Sequence, residues 1–351
     1  MSANTGENQL PLSALGAREL VLPYVRAGWR AMGDDVPAWL FFWNACLLLN
    51  TSLTNLSPAR PDFAPTILFP MGVFVLFTTV RALKSPTVRF PRLALYVPVA
   101  MALGLPTLNL LFHTPSPLEV STLRTVYELS NFLWAALLIR YFWQRQKSLL
   151  AFFFGVGLFY GAVLENGGIV LGFFDEQNLG ATMVRPFVAP VATMIGWCVV
   201  LGMGTHLVWR LREWLPGLKQ SALGSAVLVG VFATMLDLQI DPIATLTGCW
   251  VWHHSLPPWF HGVPQVNFVA WLCALIPFSW VMFRLQDKLG VADAGRWTPR
   301  QLGFGMLAVP YALVIALLAF MTTTAVLEGT TGPSWELLAT FASKWLAAVG
   351  A

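Results

Sequence analysis

Residues 235–252 read MLDLQIDPIATLTGCWVW. An apolar run of helical character delivers Asp237, then Asp241 four residues later, then Pro242, and ends on Trp250 and Trp252. Two carboxylates at i,i+4 share one face of a helix. Such a pair at the end of a greasy segment is costly unless it has a task, so the segment's surroundings decide how it is read.

Those surroundings are apolar throughout. Of 351 residues, 56% are hydrophobic and 11% charged, whereas a soluble domain carries roughly 25% charged residues. The composition predicts an all-α, polytopic membrane helical bundle and excludes an ordinary soluble enzyme. Apolar stretches of about 20 residues count as spans. Nine are expected, near 36–56, 64–83, 93–112, 121–143, 148–174, 187–211, 219–240, 265–286 and 301–323. A last segment, 333–350, carries Glu336 and Lys344. It is expected to be an interfacial amphipathic helix, or else a short tenth span.

The chain divides on this reading into a polar arm (1–35), four N-terminal helices (36–145), a core of helices five to eight (146–290) and a final helix with its amphipathic tail (291–351). The first 35 residues lack the short apolar run of a signal peptide. Basic residues set the orientation. With the N-terminus in the cytoplasm, Arg81, Lys84, Arg89, Arg92, Arg140, Arg145, Lys147, Arg210, Arg212, Lys219, Arg284 and Lys288 all fall inside, while Arg60, Arg124, Arg185 and Lys344 fall outside. An integral protein of a bacterial or archaeal-type cell membrane is expected, with the lipid bilayer as its solvent. The net charge of +4 requires no nucleic acid. The four cysteines, Cys46, Cys198, Cys249 and Cys273, are scattered through apolar segments and read as small core residues.

Ionisable side chains inside spans cost about 2.5–3.5 kcal/mol each on insertion scales and are functional candidates by default. On the topology above, Glu165 of YGAVLENGG, Glu128 of VYELSN and Asp237 arrive at one layer from three separate spans, with Asp241 one turn further out. Glu128 is four residues from Arg124 and reads as its ion-pair partner. Pro242 denies the backbone a donor and limits regular helix beyond the aspartates. Trp250, Trp252, Trp259 and Trp271 have the composition of an interfacial belt or of a binding wall. Asn267, at the start of span eight, reads as a cap or as a hydrogen-bonding group in a site. Five histidines without HxxxH or HxxHH grouping, and no CxxC, leave no metal site to predict. GxSxG, P-loop and strand-bound GxGxxG motifs are missing, and no cofactor is expected.

The stretch from about 150 to 285 resembles a membrane carotenoid-biosynthesis family that includes the carotenoid 1′-hydratases and bisanhydrobacterioruberin hydratase. The resemblance rests on Glu165 with Gly167 and Gly168, Pro186 and Pro190 followed by Trp197, Asp237, Asp241-Pro242, Trp250 and Trp252, Gly262-Val263-Pro264, Asn267-Phe268 and Trp271. Departures are GFFDEQNL where the family tends to show tyrosines, His261 where it tends to show an aromatic, and Ala270 where it tends to show glycine.

The resemblance implies addition of water to a terminal C=C bond of a carotenoid or other long isoprenoid. The residues suit such a reaction without a cofactor. A protonated carboxyl delivers a proton to carbon, a tertiary carbocation forms, and a second carboxylate takes a proton from the incoming water. Asp237 or Glu165 is the expected acid and Asp241 the expected base. Trp197, Trp250, Trp252, Asn267 and Trp271 are the expected substrate wall, with Trp250 and Trp252 placed to stabilise the cation. Two other classes fit the same residues: a transporter or carotenoid-binding scaffold using intramembrane acids, and a membrane prenyltransferase using DxxxD at 237–241.

Overall fold

The computed structural model describes residues 147–170, 172–176, 184–246, 248–254, 256–288 and 299–328, with further helical positions between 124 and 143. The first three expected spans and the segment 333–350 lie outside the described residues.

The architecture is a bundle of antiparallel helices. The first rod is α1 (Lys147–Ala151), a π-helical turn (Phe152–Val156) and α2 (Gly157–Val170). It is followed by α3 (Val191–Trp214), a short α4 (Pro216–Gln220), α5 (Ala222–Leu246), α6 (Gln265–Lys288) and α7 (Pro299–Glu328). Four segments are long and apolar enough to cross a membrane: Leu149–Val170, Val191–Trp209, Ala222–Pro242 and Gln265–Lys288. These correspond to expected spans five to eight. Leu307–Thr323 within α7 is a shorter apolar helix at the place of the ninth.

Side-chain size explains how closely the rods approach. Where lipid offers no hydrophobic drive, small residues let backbones touch. A Cβ on Gly161 of α2 would stand 2.6 Å from Trp197 Cβ of α3, and one on Gly230 of α5 would stand 2.8 Å from Ile276 of α6. The centre is aromatic. Phe152 and Phe153 on the π-helical turn pack with Phe142 and Phe278, and Tyr160 packs on Phe278. Tyr160 also donates to the Ala274 carbonyl at 2.5 Å, tying α2 to α6. Cys198 and Cys249 are buried and Cys273 is half-buried, all as free thiols.

One expectation needs correction. Pro242 does not end its helix: α5 runs through it to Leu246. The ring costs the backbone bond back to Leu238, but α5 is packed along α6 here, and neighbouring helices support proline in membrane helices. The described residues are mostly helical, as expected, with two short ribbons beside the helices. β1 (Phe174–Glu176) pairs antiparallel with β2 (Trp250–Trp252), in the register Phe174↔Trp252 and Glu176↔Trp250. β3 (Pro258–Phe260) pairs with β4 (Val263–Pro264). The second ribbon turns through His261 (φ 48°) and Gly262 (φ 89°). Positive φ at both central residues is the demand of a type I′ hairpin, which makes Gly262 structural.

At the end of the bundle away from these ribbons, Arg212 of α3 makes two 2.8 Å bonds to Asp287 of α6 and donates to the carbonyls of Leu218 and Lys219. This clamp holds the α3–α4–α5 turn against α6.

Candidate active site

Asp237 and Asp241 sit one turn apart on α5, and both are buried (0% and 5% exposed). Their shared face is turned to α6. There Asn267, in the first turn of α6, donates through Nδ2 to Asp237 Oδ2 at 2.7 Å and also to Asp241 Oδ2. One amide group thus uses both N–H donors on two carboxyls. The carboxyls lie within hydrogen-bonding reach of each other. Asp237 Oδ1 is buried and receives no hydrogen bond from a protein donor among the described residues. A single proton held by the pair replaces repulsion with a hydrogen bond.

Glu165 approaches from α2. It accepts a hydrogen bond from the indole Nε1–H of Trp197 on α3. Trp197 stacks on Trp271 of α6, with ring centroids 4.9 Å apart and an interplanar angle of 27°. The site is therefore assembled from four helices, each contributing one or two polar or aromatic side chains to a common layer.

These groups border a cavity of about 160 Å³. Glu165, Asp241, Asn267, Trp197, Trp250, Trp252 and Trp271 all line it, with Leu164, Val200, Leu236, Ile240, Leu317 and Phe320 supplying apolar wall. Among the described residues lining it there is no Lys or Arg. Asp237, expected at the site, stands behind Asp241 and is not part of the lining.

The β1–β2 ribbon closes one end. Strand alternation sends Trp250 and Trp252 to one side and Val251 to the other; the tryptophans line the cavity and Val251 is exposed. The two rings are not equivalent. Trp252 donates to Thr245 Oγ1 at 3.0 Å and packs on Phe174. Trp250 carries the Arg124 guanidinium 5.5 Å from its ring centroid. Arg124 pairs with Glu128 at 3.5 Å, both buried, so the i,i+4 pair expected from the sequence is present.

Sequence reasoning missed several contributors. Asn166, beside Glu165, bonds the Ala162 carbonyl and accepts from the backbone N–H of Val188 and Ala189 at 3.0 and 2.9 Å. It ties the 184–190 loop to α2 next to the carboxylate. Asn131 and Thr193 also line the cavity; Asn131 donates to the Ala192 carbonyl. The available signal was a polar residue in an apolar span, which the carboxylates overshadowed. Phe173 and Phe174 line the cavity because β1 folds back, and three residues of strand leave no periodicity to read.

Fold and site together define a polytopic integral membrane protein with an internal apolar cavity edged by carboxyl groups and indoles. Residues 126–340, more than half of the chain, match the model of the carotenoid biosynthesis protein family. The chain belongs to that family and has a role in carotenoid biosynthesis. No curated protein and no solved structure matches it.

Proposed function

We propose that the protein is a hydro-lyase that adds water to a terminal C=C bond of a carotenoid, without a cofactor. The observation that carries this reading is the pairing of Asp241 and Glu165 on one apolar cavity. Hydration of an alkene needs one proton donor and one proton acceptor facing the same carbon pair.

The surroundings favour a division of labour. Asp241 belongs to a hydrogen-bonded carboxyl pair, bridged by Asn267, which suits it to hold a proton. Glu165 accepts an indole N–H, which suits it to be the anion. Asp241 then protonates the CH carbon of a trisubstituted terminal alkene. The π electrons form the new C–H bond, and positive charge develops on the dimethyl-bearing carbon. Water adds its lone pair there and loses a proton to Glu165. Return of that proton to the aspartate pair completes the cycle. Of the two acids expected from the sequence, Asp237 does not line the cavity and serves on this reading as the partner of Asp241, with the expected roles of Glu165 and Asp241 exchanged.

The prenyltransferase alternative gains no support. Asp237 does not face the cavity, Asn267 points N–H donors between the two aspartates, and no basic side chain among the described lining residues would take a diphosphate. Expression in a bacterium that accumulates acyclic carotenoids tests the proposal. A product heavier by one water is expected. An unchanged pigment profile with the protein present in the membrane overturns it and favours binding or transport.

A further inference from the structure

Trp250 and Trp252 have the spacing of a cation-stabilising pair, but the geometry points elsewhere. Arg124 already lies against Trp250, and a second positive charge on the same ring meets repulsion from the first. Trp252 directs its N–H to a neutral threonine. Trp197 differs from both. Its N–H is held by the Glu165 carboxylate, and a hydrogen bond to an anion pushes electron density back into the indole. Its ring is stacked on Trp271, and both border the cavity together with Glu165 and Asp241.

We infer that the Trp197–Trp271 stack, charged by Glu165, is a cation-binding platform that takes a tertiary ammonium group borne on an isoprenoid chain. Such an ammonium places the charge of the hydration reaction's tertiary carbocation on a centre bearing the same two methyl groups and chain, tetrahedral where the carbocation is trigonal. The inference rests on reading this cavity as the reacting site. It also assigns Glu165 a second task beyond proton acceptance. The Glu165 carboxylate holds the N–H edge of Trp197, no Lys or Arg among the described residues lines the cavity, and most of the wall is apolar, so a cation bound there is weakly screened from that carboxylate.

The test is equilibrium binding of tritiated N,N-dimethylgeranylamine, protonated at neutral pH, to the full-length protein in lipid nanodiscs, with empty nanodiscs as the blank. Its carbon isostere, in which C–H replaces N⁺–H, is the competitor. The amine is expected to bind roughly tenfold or more tighter than the isostere. Glu165→Gln keeps an acceptor for the Trp197 N–H but removes the charge, and Trp271→Leu removes half of the stack. Each is expected to cut that preference about tenfold, with Trp280→Leu, on the exposed face of α6, leaving it intact. Should Trp271→Leu fail to fold, Glu165→Gln and Trp197→Phe carry the same comparison. Equal binding of amine and isostere by the wild type overturns the inference, as does a preference that survives Glu165→Gln. The readout needs no turnover. Selective amine binding without hydrated product upholds the platform and refutes the hydration reading; hydrated product without amine preference does the reverse.

Discussion

Asn267 reaches from the first turn of α6 to Asp241 of α5, and its second N–H goes to Asp237 on the same helix. The amide is the cross-brace of the site, joining two buried carboxyls to the helix that also bears Trp271. Replacing it by alanine leaves both carboxyls short of a donor. Leaving a buried charged group unsatisfied costs at least about 1–3 kcal/mol. Asn267→Ala is therefore expected to lower the melting temperature of the purified protein and to abolish hydrated product. Asn267→Gln, which keeps the amide but misplaces it, is expected to regain stability without regaining activity. Thermal denaturation in detergent and pigment analysis together check both outcomes.

The two aspartates should separate in their effects. Asp241 lines the cavity and Asp237 stands behind it, so only Asp241 can hand a proton to a substrate carbon. A general acid contributes about 10²–10⁴-fold. Asp241→Asn is expected to lose that full range in product formation with protein levels unchanged. Asp237→Asn is expected to lose only part of it, because an amide still partners Asp241. Equal losses from both would reject the assignment of the cavity-facing carboxyl as donor.

Much of this site could be read along the chain because membrane burial makes each polar residue expensive. Asp237, Asp241 and Glu165 stood out for that reason, and their expected depth brought them to one layer. The i,i+4 spacing put both aspartates where one Asn267 reaches them. What could not be read is set by packing at a distance. Trp250 and Trp252 are expected in a belt or a binding wall, but the strand that turns both to the cavity pairs with Phe174–Glu176, more than seventy positions earlier. Pro242 was expected to stop α5, but the support α6 gives that helix is tertiary. The Trp197–Glu165 bond joins helices whose relative rotation no local pattern encodes.

Two glycines of one helix make opposite predictions. Gly161 has Trp197 Cβ 2.6 Å from where its own Cβ would stand, whereas Gly167 lines the cavity with nothing within 4 Å of that position. Gly161→Ala forces α2 away from α3, and overpacking of this kind costs about 1–3 kcal/mol. The protein is expected to melt earlier, and the Trp197–Glu165 bond to loosen. Gly167→Ala is expected to leave the melting temperature unchanged and to weaken substrate binding by occupying cavity space. Melting curves beside the substrate dependence of product formation distinguish the two.

The Arg212 clamp predicts stability without chemistry. Arg212 is 5% exposed and Asp287 38%, so water screens one partner and discounts the ion pair itself. The larger loss on removing Arg212 comes from the Leu218 and Lys219 carbonyls, which it also serves. Lysine has one ammonium in place of a planar fork and cannot reach all of these acceptors together. Arg212→Lys is expected to cost about 1–2 kcal/mol and Arg212→Ala about 1–3 kcal/mol, read as stepwise drops in melting temperature. The clamp sits at the opposite end of the bundle from Asn267. Hydration per folded molecule is therefore expected to match the wild type in both variants. A fall in that specific activity would mean that the two ends of the bundle are coupled through α6.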